Sequence, residues 1–349
     1  MSSSYQTTHC STCGMPCESM AHVARSACQQ GHLQCLEAAV SRDPQCVEPL
    51  SNTRWQPCHL FAIEGGHIDC VWFLAERAGN LAKAKGWEGA AIAAAMHNQP
   101  EILEVLLMRG LRPDTVIFGE TAACVAAHHG HNDCLRLLGR FGADVNLPDG
   151  KGSTSARLAA CHGHLSTLQL LKGLGADLAT HVPLSPPTAA ARHGHLRCVQ
   201  YLLSEGADAN GESDRELPPL AEAVLHTPCV EALLAAGAIP TPIALVCAAK
   251  SKAHTSLRLM LCCGEKVDVD MYASHPKMHK ESPLEVAATA NDLVGVRMLQ
   301  AAGANSSALW STTPKARPQS IETPPGAQPI PDAVIATTGT LLASKLVLV

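Results

Sequence analysis

Apolar residues in this chain recur at i, i+3 and i+4 in short stretches that each end on glycine: Leu103 to Gly110, Leu135 to Gly142, Leu168 to Gly175 and Val199 to Gly206. That spacing puts the apolar side chains on one face of a helix. A glycine just past the last turn can close the helix through the left-handed region. Ahead of each stretch stands a shorter alanine-rich run, with pairs at Ala94-Ala95, Ala126-Ala127, Ala159-Ala160 and Ala190-Ala191. The pattern predicts a short helix, a tight turn, a second helix, a glycine stop and a loop. Alanine allows the first helix to lie close to its neighbours.

The turn residues reveal a period. Gly-His pairs stand at Gly31-His32, Gly66-His67, Gly130-His131, Gly163-His164 and Gly194-His195, and Asn98-Gln99 occupies the equivalent place between the second and third. The intervals are 35, 32, 32, 33 and 31 residues. Weaker copies turn at Leu225-His226, near Lys252 and at Asn291, after intervals of 31, 27 and 39 residues. Nine units are predicted between about Ser19 and Asn305. One such unit cannot bury its own apolar face, and stacking the units makes a continuous core. The expected organisation is a disordered Cys-rich segment over 1–18, a repeat domain over 19–305, and a proline-rich linker with an apolar tail over 306–349.

The motifs resemble those of the ankyrin-repeat family. The likeness rests on the starts at Gln56-Pro57-Cys58-His59 and Ser282-Pro283-Leu284, the alanine pairs, the Gly-His turns, and the Gly-Ala-Asp-x-Asn endings at Asn146 and Asn210. It extends over roughly four-fifths of the chain. It implies an all-α solenoid of about nine helix-turn-helix units with short β-hairpin-like finger loops, whose function is to bind a protein partner through a concave groove and the finger tips. The histidine after each turn glycine is implied to fix the turn by hydrogen bonding. The column before the turn, His97, His129, His162 and His193, and the residues preceding it, Met96, His128, Cys161 and Arg192, are implied to face the groove. The implied finger tips are Trp55, Trp87, Ile117, Phe118, Asp149, Lys151 and His181. The family also implies asparagine hydroxylation as a question at Asn146 and Asn210, whose plainer role is to close the loop.

Composition sharpens this picture in three places. Aromatic residues make up only 3% of the chain, so any exposed aromatic ring is a candidate anchor for a partner. The formal net charge of −5 argues against a general nucleic-acid binder, which needs a basic surface. The 16 cysteines do not imply a disulfide scaffold, because the chain is long and opens without a secretory signal pattern. Five of them, Cys35, Cys70, Cys134, Cys198 and Cys229, share one column four residues after the turn position, where a reduced thiol packs as a small hydrophobe. A cytoplasmic or nuclear protein is expected.

Candidate chemistry is sparse. His9, Cys10, Cys13 and Cys17 contain a Cys-x2-Cys spacing, and Cys262, His275 and His279 resemble half of a zinc-finger spacing. Each lacks its second half, and the alternatives are a plain N-terminal tail and a polar inserted loop. No phosphate-binding, nucleophile-elbow or zinc-protease motif occurs. Asp149-Gly150-Lys151-Gly152 reads as a loop tip between repeats. The longest uncharged stretch, Ala232 to Ala249, is broken by Gly237, Pro240 and Pro242, which argues against a membrane span. The reading is therefore a monomeric, non-catalytic binding scaffold without metal or cofactor. The alternatives are an adaptor that uses the tail for a second protein, and a zinc-dependent regulator.

Overall fold

The computed structural model describes residues 8–9, 16–17, 19–47, 57–179, 185–211, 217–263, 269–272 and 281–305. It divides into two compact units, one of residues up to Ala159 together with Ser166–Ala176, the other of Ala160–Leu165 together with residues from Asp177 onward. Both are built almost wholly of α-helices, and the described residues hold nine helix pairs, as the period predicts.

Four pairs lie wholly in the first unit. They are Met20–Gln30 with Leu33–Arg42 (α1, α2), Cys58–Glu64 with Ile68–Ala78 (α3, α4), Ala90–Met96 with Pro100–Met108 (α5, α6), and Ala122–His129 with Asn132–Arg140 (α7, α8). The division falls in the fifth pair, Ser155–Cys161 and Leu165–Gly173 (α9, α10). The second unit continues with Pro186–Arg192 and Leu196–Ser204 (α11, α12), Pro219–Glu222 and Thr227–Ala235 (α13, α14), Pro242–Lys250 and His254–Cys262 (α15, α16), and Pro283–Thr289 and Leu293–Ala301 (α17, α18).

Local chemistry explains the boundaries. Thr121, Ser185, Thr241 and Ser282 each cap a first helix by accepting a backbone N–H three residues on. At Ser282 the bond is reciprocated by Glu285, which completes a capping box. Proline follows directly at Pro186, Pro242 and Pro283, where its missing N–H costs nothing. The alanine pairs are fully buried: Ala94, Ala95, Ala126, Ala127, Ala159, Ala160, Ala190 and Ala191 are all 0% exposed. Most first helices end on a left-handed residue at the predicted turn position, and Asn98, Lys252 and Asn291 take that conformation without being glycine. The seventh unit is the exception, because α13 has only four residues and Leu225 does not turn in this way.

In one described finger loop Ile117 and Glu120 form an antiparallel bridge. Elsewhere side chains close the loops: Asp144 accepts the Asn146 amide at 2.9 Å and Asp208 the Asn210 amide at 2.8 Å. Near the N-terminus Thr8–His9 (β1) pairs antiparallel with Pro16–Cys17 (β2).

Candidate functional site

Four histidines after the turn link their repeat to the one before it. In the first unit His67 Nε2 donates to the Gln29 carbonyl at 3.1 Å and His131 Nδ1 to the Ala95 carbonyl at 2.8 Å. In the second unit His195 Nε2 donates to Cys161 at 3.0 Å and His226 Nε2 to Arg192 at 3.2 Å. Each acceptor lies in the last turn of a first helix, where carbonyls lack a helical partner. The rings of His67, His195 and His226 press on the preceding turn glycines Gly31, Gly163 and Gly194. A Cβ added to Gly163 would stand 2.6 Å from His195 Nδ1, and one added to Gly31 would stand 2.5 Å from His67 Nδ1. Glycine is therefore required both for its positive φ and for the ring of the next repeat.

This coupling aims the column before the turn outward. His97 and His129 in the first unit, and His162 and His193 in the second, are all exposed. The rings of His129 and His131 stack at 5.4 Å, those of His162 and His164 at 6.1 Å, and those of His193 and His195 at 6.2 Å. His128 meets His129 edge-on at 4.6 Å. The preceding column is more mixed. Met96 is 41% exposed, while His128 and Cys161 are half-buried. Arg192 is also half-buried, and it binds Glu222 of the next repeat through two hydrogen bonds of 3.0 and 2.7 Å. Its charge is already committed, so it is a strut between repeats before it is a contact point.

The finger residues separate sharply. Phe118 is fully exposed and holds a positive φ of 52°. The bridge between Ile117 and Glu120 flanks it, and the Gly119 carbonyl accepts the Gly150 amide of the next finger. Ile117 is half-buried and Lys151 is exposed. Asp149 folds the loop, accepting the Lys151 and Ser153 amides at 2.9 and 2.7 Å, so Asp149-Gly150-Lys151-Gly152 is a self-closed loop tip. Trp87 is not an exposed anchor. It is 5% exposed and stacks on His59, with ring centroids 3.9 Å apart and planes 10° apart. The loop between α4 and α5 is long enough to fold the indole back under the repeat, which spacing alone could not reveal. Trp55 and His181 lie outside the described residues.

The cysteine column is core. Cys35, Cys70, Cys134, Cys198 and Cys229 are 0–2% exposed and unbridged. Burial pushes the thiols of Cys70, Cys134 and Cys198 up to about 11, far from the reactive range. Asn146 and Asn210 bind across to the following repeat, donating to the Gly175 and Gly237 carbonyls at 3.1 and 3.2 Å. Among the described residues no group of three or more His, Cys, Asp or Glu side chains could hold a metal ion. Cys10, Cys13, His275 and His279 lie outside those residues, as do the side chains of His9 and Cys17. No described helix is long and apolar enough to cross a membrane.

A family model of ankyrin repeats matches residues 24–117, 91–182 and 158–242. The chain belongs to the ankyrin-repeat family. The matched windows overlap without a gap from α1 to the start of α15, and the two ankyrin units after that are carried by their helix pairs and capped turns. Similar proteins include the Ankyrin repeat protein nuc-2 of Neurospora crassa, 32% identical over 125 residues, which is 35% of this chain and 12% of that protein. Synphilin-1 of Mus musculus is 29% identical over 140 residues, 38% of this chain and 14% of that protein. The ankyrin segment shared with these relatives is thus a small part of their length. Ankyrin repeats are generally protein-interaction modules and generally non-catalytic.

Proposed function

We propose that this chain is a non-catalytic scaffold that binds a protein partner along the exposed edge of its turns and fingers. The contact residues are Met96, His97, His128 and His129 with Ile117, Phe118 and Lys151 in the first unit, and His162 and His193 in the second. The partner has a groove for an aromatic ring and carboxylates or carbonyls for the imidazoles.

The observation that carries this reading is Phe118. Burying a phenyl ring is among the largest gains available to a side chain, yet this one is fully exposed. Its backbone sits in a region where bulky residues are outliers, and such strain clusters at binding sites. A ring held out on a pinned loop loses little freedom on binding. The test is affinity capture with quantitative mass spectrometry on the full chain, comparing wild type with F118A and with the double variant H128A/H129A. A partner set depleted by about tenfold in F118A supports the surface, since anchor residues contribute about 2 kcal/mol or more. Unchanged partners in both variants reject it. A cytoplasmic address, which a core rich in reduced thiols favours, and a monomeric state belong to this reading, and localisation and sedimentation of the full chain would check them.

A further inference from the structure

The last described repeat leaves its forward side open. Two polar contacts show that the first residue of a second helix reaches toward the next repeat. Asn132 opens α8, donates to the Ser166 hydroxyl at 3.1 Å and accepts from the Thr167 hydroxyl at 2.8 Å, both on α10. His254 opens α16 and donates to Asp292, the cap of α18, at 2.8 Å. In the ninth unit this forward-reaching position is Leu293, and no tenth helix pair follows among the described residues.

Exposure records the missing neighbour. Leu293 is 50% exposed, against 38% for Ile68 in the same column, and Leu33, Leu165 and Leu196 there are half-buried. The next residue enlarges the patch. That second position is polar in seven of the eight upstream units, as at Asp69, Glu101, Asp133 and Arg197, and is proline at Pro228. In the ninth unit it is Val294, 51% exposed. The terminal unit of a solenoid normally turns a polar face outward, and two adjacent aliphatic side chains do the reverse. The unit is otherwise finished like an internal one. The Asn305 amide donates to Asp270 at 2.8 Å, as the Asp144 amide does to Asp114 at 2.9 Å. Its register is that of a repeat with another behind it.

The sequence beyond Asn305 contains an occupant of matching chemistry. Between Ala333 and Val349, 11 of 17 residues are apolar and only Lys345 is charged. The intervening residues 306–332 reach, at about 3.3 Å each when extended, well past the roughly 14 Å length of α18. A tethered segment also meets its target at a high effective concentration, so a small apolar patch is enough to hold it. We propose that residues 333–349 of the same chain cover the open side of α18, burying Leu293 and Val294 and closing the array in place of a tenth repeat. This contact uses none of the turn-and-finger residues and does not depend on them.

The test places the photo-cross-linking residue p-benzoylphenylalanine at Val294 in the full chain, with the same probe at Asp133 as control. Irradiation of dilute protein is expected to give a cross-link within one chain that mass spectrometry maps to residues 333–349, and the Asp133 probe is expected to give none there. L342D/L346D puts charge into the segment without changing a described residue. It is expected to abolish the Val294 cross-link and to speed amide exchange over Leu293–Ala301 by about tenfold, the scale of re-exposing two half-covered aliphatic side chains. The proposal is overturned by a Val294 cross-link that joins two chains, by one that maps elsewhere in the chain, by one that L342D/L346D leaves intact, or by none at all.

Discussion

From His67 to His226 the coupling runs from an imidazole N–H to a backbone carbonyl of the repeat before. Toward the carboxyl end it changes. Ala253 takes the column of the coupling histidine and offers no polar group, so the buried Ser256 hydroxyl donates to the Val224 carbonyl at 2.6 Å instead. In the last unit Asp292 stands in that column. It accepts from His254 Nε2 at 2.8 and 2.9 Å and also caps α18 through the Gly295 amide. The stack therefore requires a polar bridge to the preceding repeat rather than a histidine. The two regions also differ electrostatically. The carbonyl couplings have a neutral acceptor, whereas the last one has a carboxylate with a side chain 4% exposed.

The sharpest way to break the first kind of coupling is G163A. The added Cβ meets both the left-handed backbone and the His195 ring, and an expected loss of about 3 kcal/mol sums the conformational and overpacking costs. Urea unfolding measures it. G175A is the control: φ is 87° but nothing lies within 4 Å of the added Cβ, so only the backbone cost of about 1 kcal/mol remains. A loss for G163A no larger than that for G175A would show that the ring does not press on the turn.

Next in size is D292A, which removes both the α18 cap and the bond to His254. About 2 kcal/mol is expected, the upper range for a cap with a second partner. Asp292 also gives the last coupling a pH signature. Burial would raise its pKa, but the Gly295 amide and His254 outweigh that, so it sits below its ordinary value of 3.8. A carboxyl depressed on folding contributes stability above that ordinary value and loses it as pH falls through the folded one. Acid unfolding of D292N should therefore be flatter than wild type below pH 3.8. Parallel curves would deny the pair its role.

H195A should cost about 1 kcal/mol, one net hydrogen bond with the Cys161 carbonyl left wanting. The smallest stability effect belongs to F118G. Glycine accepts the positive φ, and no buried contact is lost, so a change within about 0.5 kcal/mol is expected. A substantial loss would mean that Phe118 packs within the fold rather than serving a partner.

Much of this architecture was legible in the sequence because the period imposes it. The Gly-His pairs located the turns, the alanine pairs the buried helices, and Cys134 and its column the core of the second helices. Even Asn98, Lys252 and Asn291 were placed by register although they are not glycine. What stayed hidden depends on stacking. His195 looks like part of its own turn, and only the neighbouring repeat shows that its partner is Cys161 of the previous one. Arg192 reads as a free cation until Glu222 is brought beside it from 30 residues on. Trp87 reads as a finger tip until the loop folds it onto His59. The signal available in advance was the loop itself, whose Gly79-to-Gly89 span lacks the Gly-Ala-Asp-x-Asn ending found at Asn146 and Asn210.

The Gly-His interlock has a consequence for how such a chain can gain or lose repeats. The turn glycine belongs to one repeat and the ring that covers it to the next, so the two halves of each joint are inherited in different modules. Wherever neighbours carry the same pair, excising one module rejoins a glycine socket to a histidine plug of the same shape. Removing the span from His164 to Gly194 would leave Gly163 facing His226, which already fits over Gly194. The joint made by His254 and Asp292 is keyed differently, and neither half matches the sockets upstream. Length can thus vary freely in the middle of the array, while its carboxyl end must travel as a matched pair.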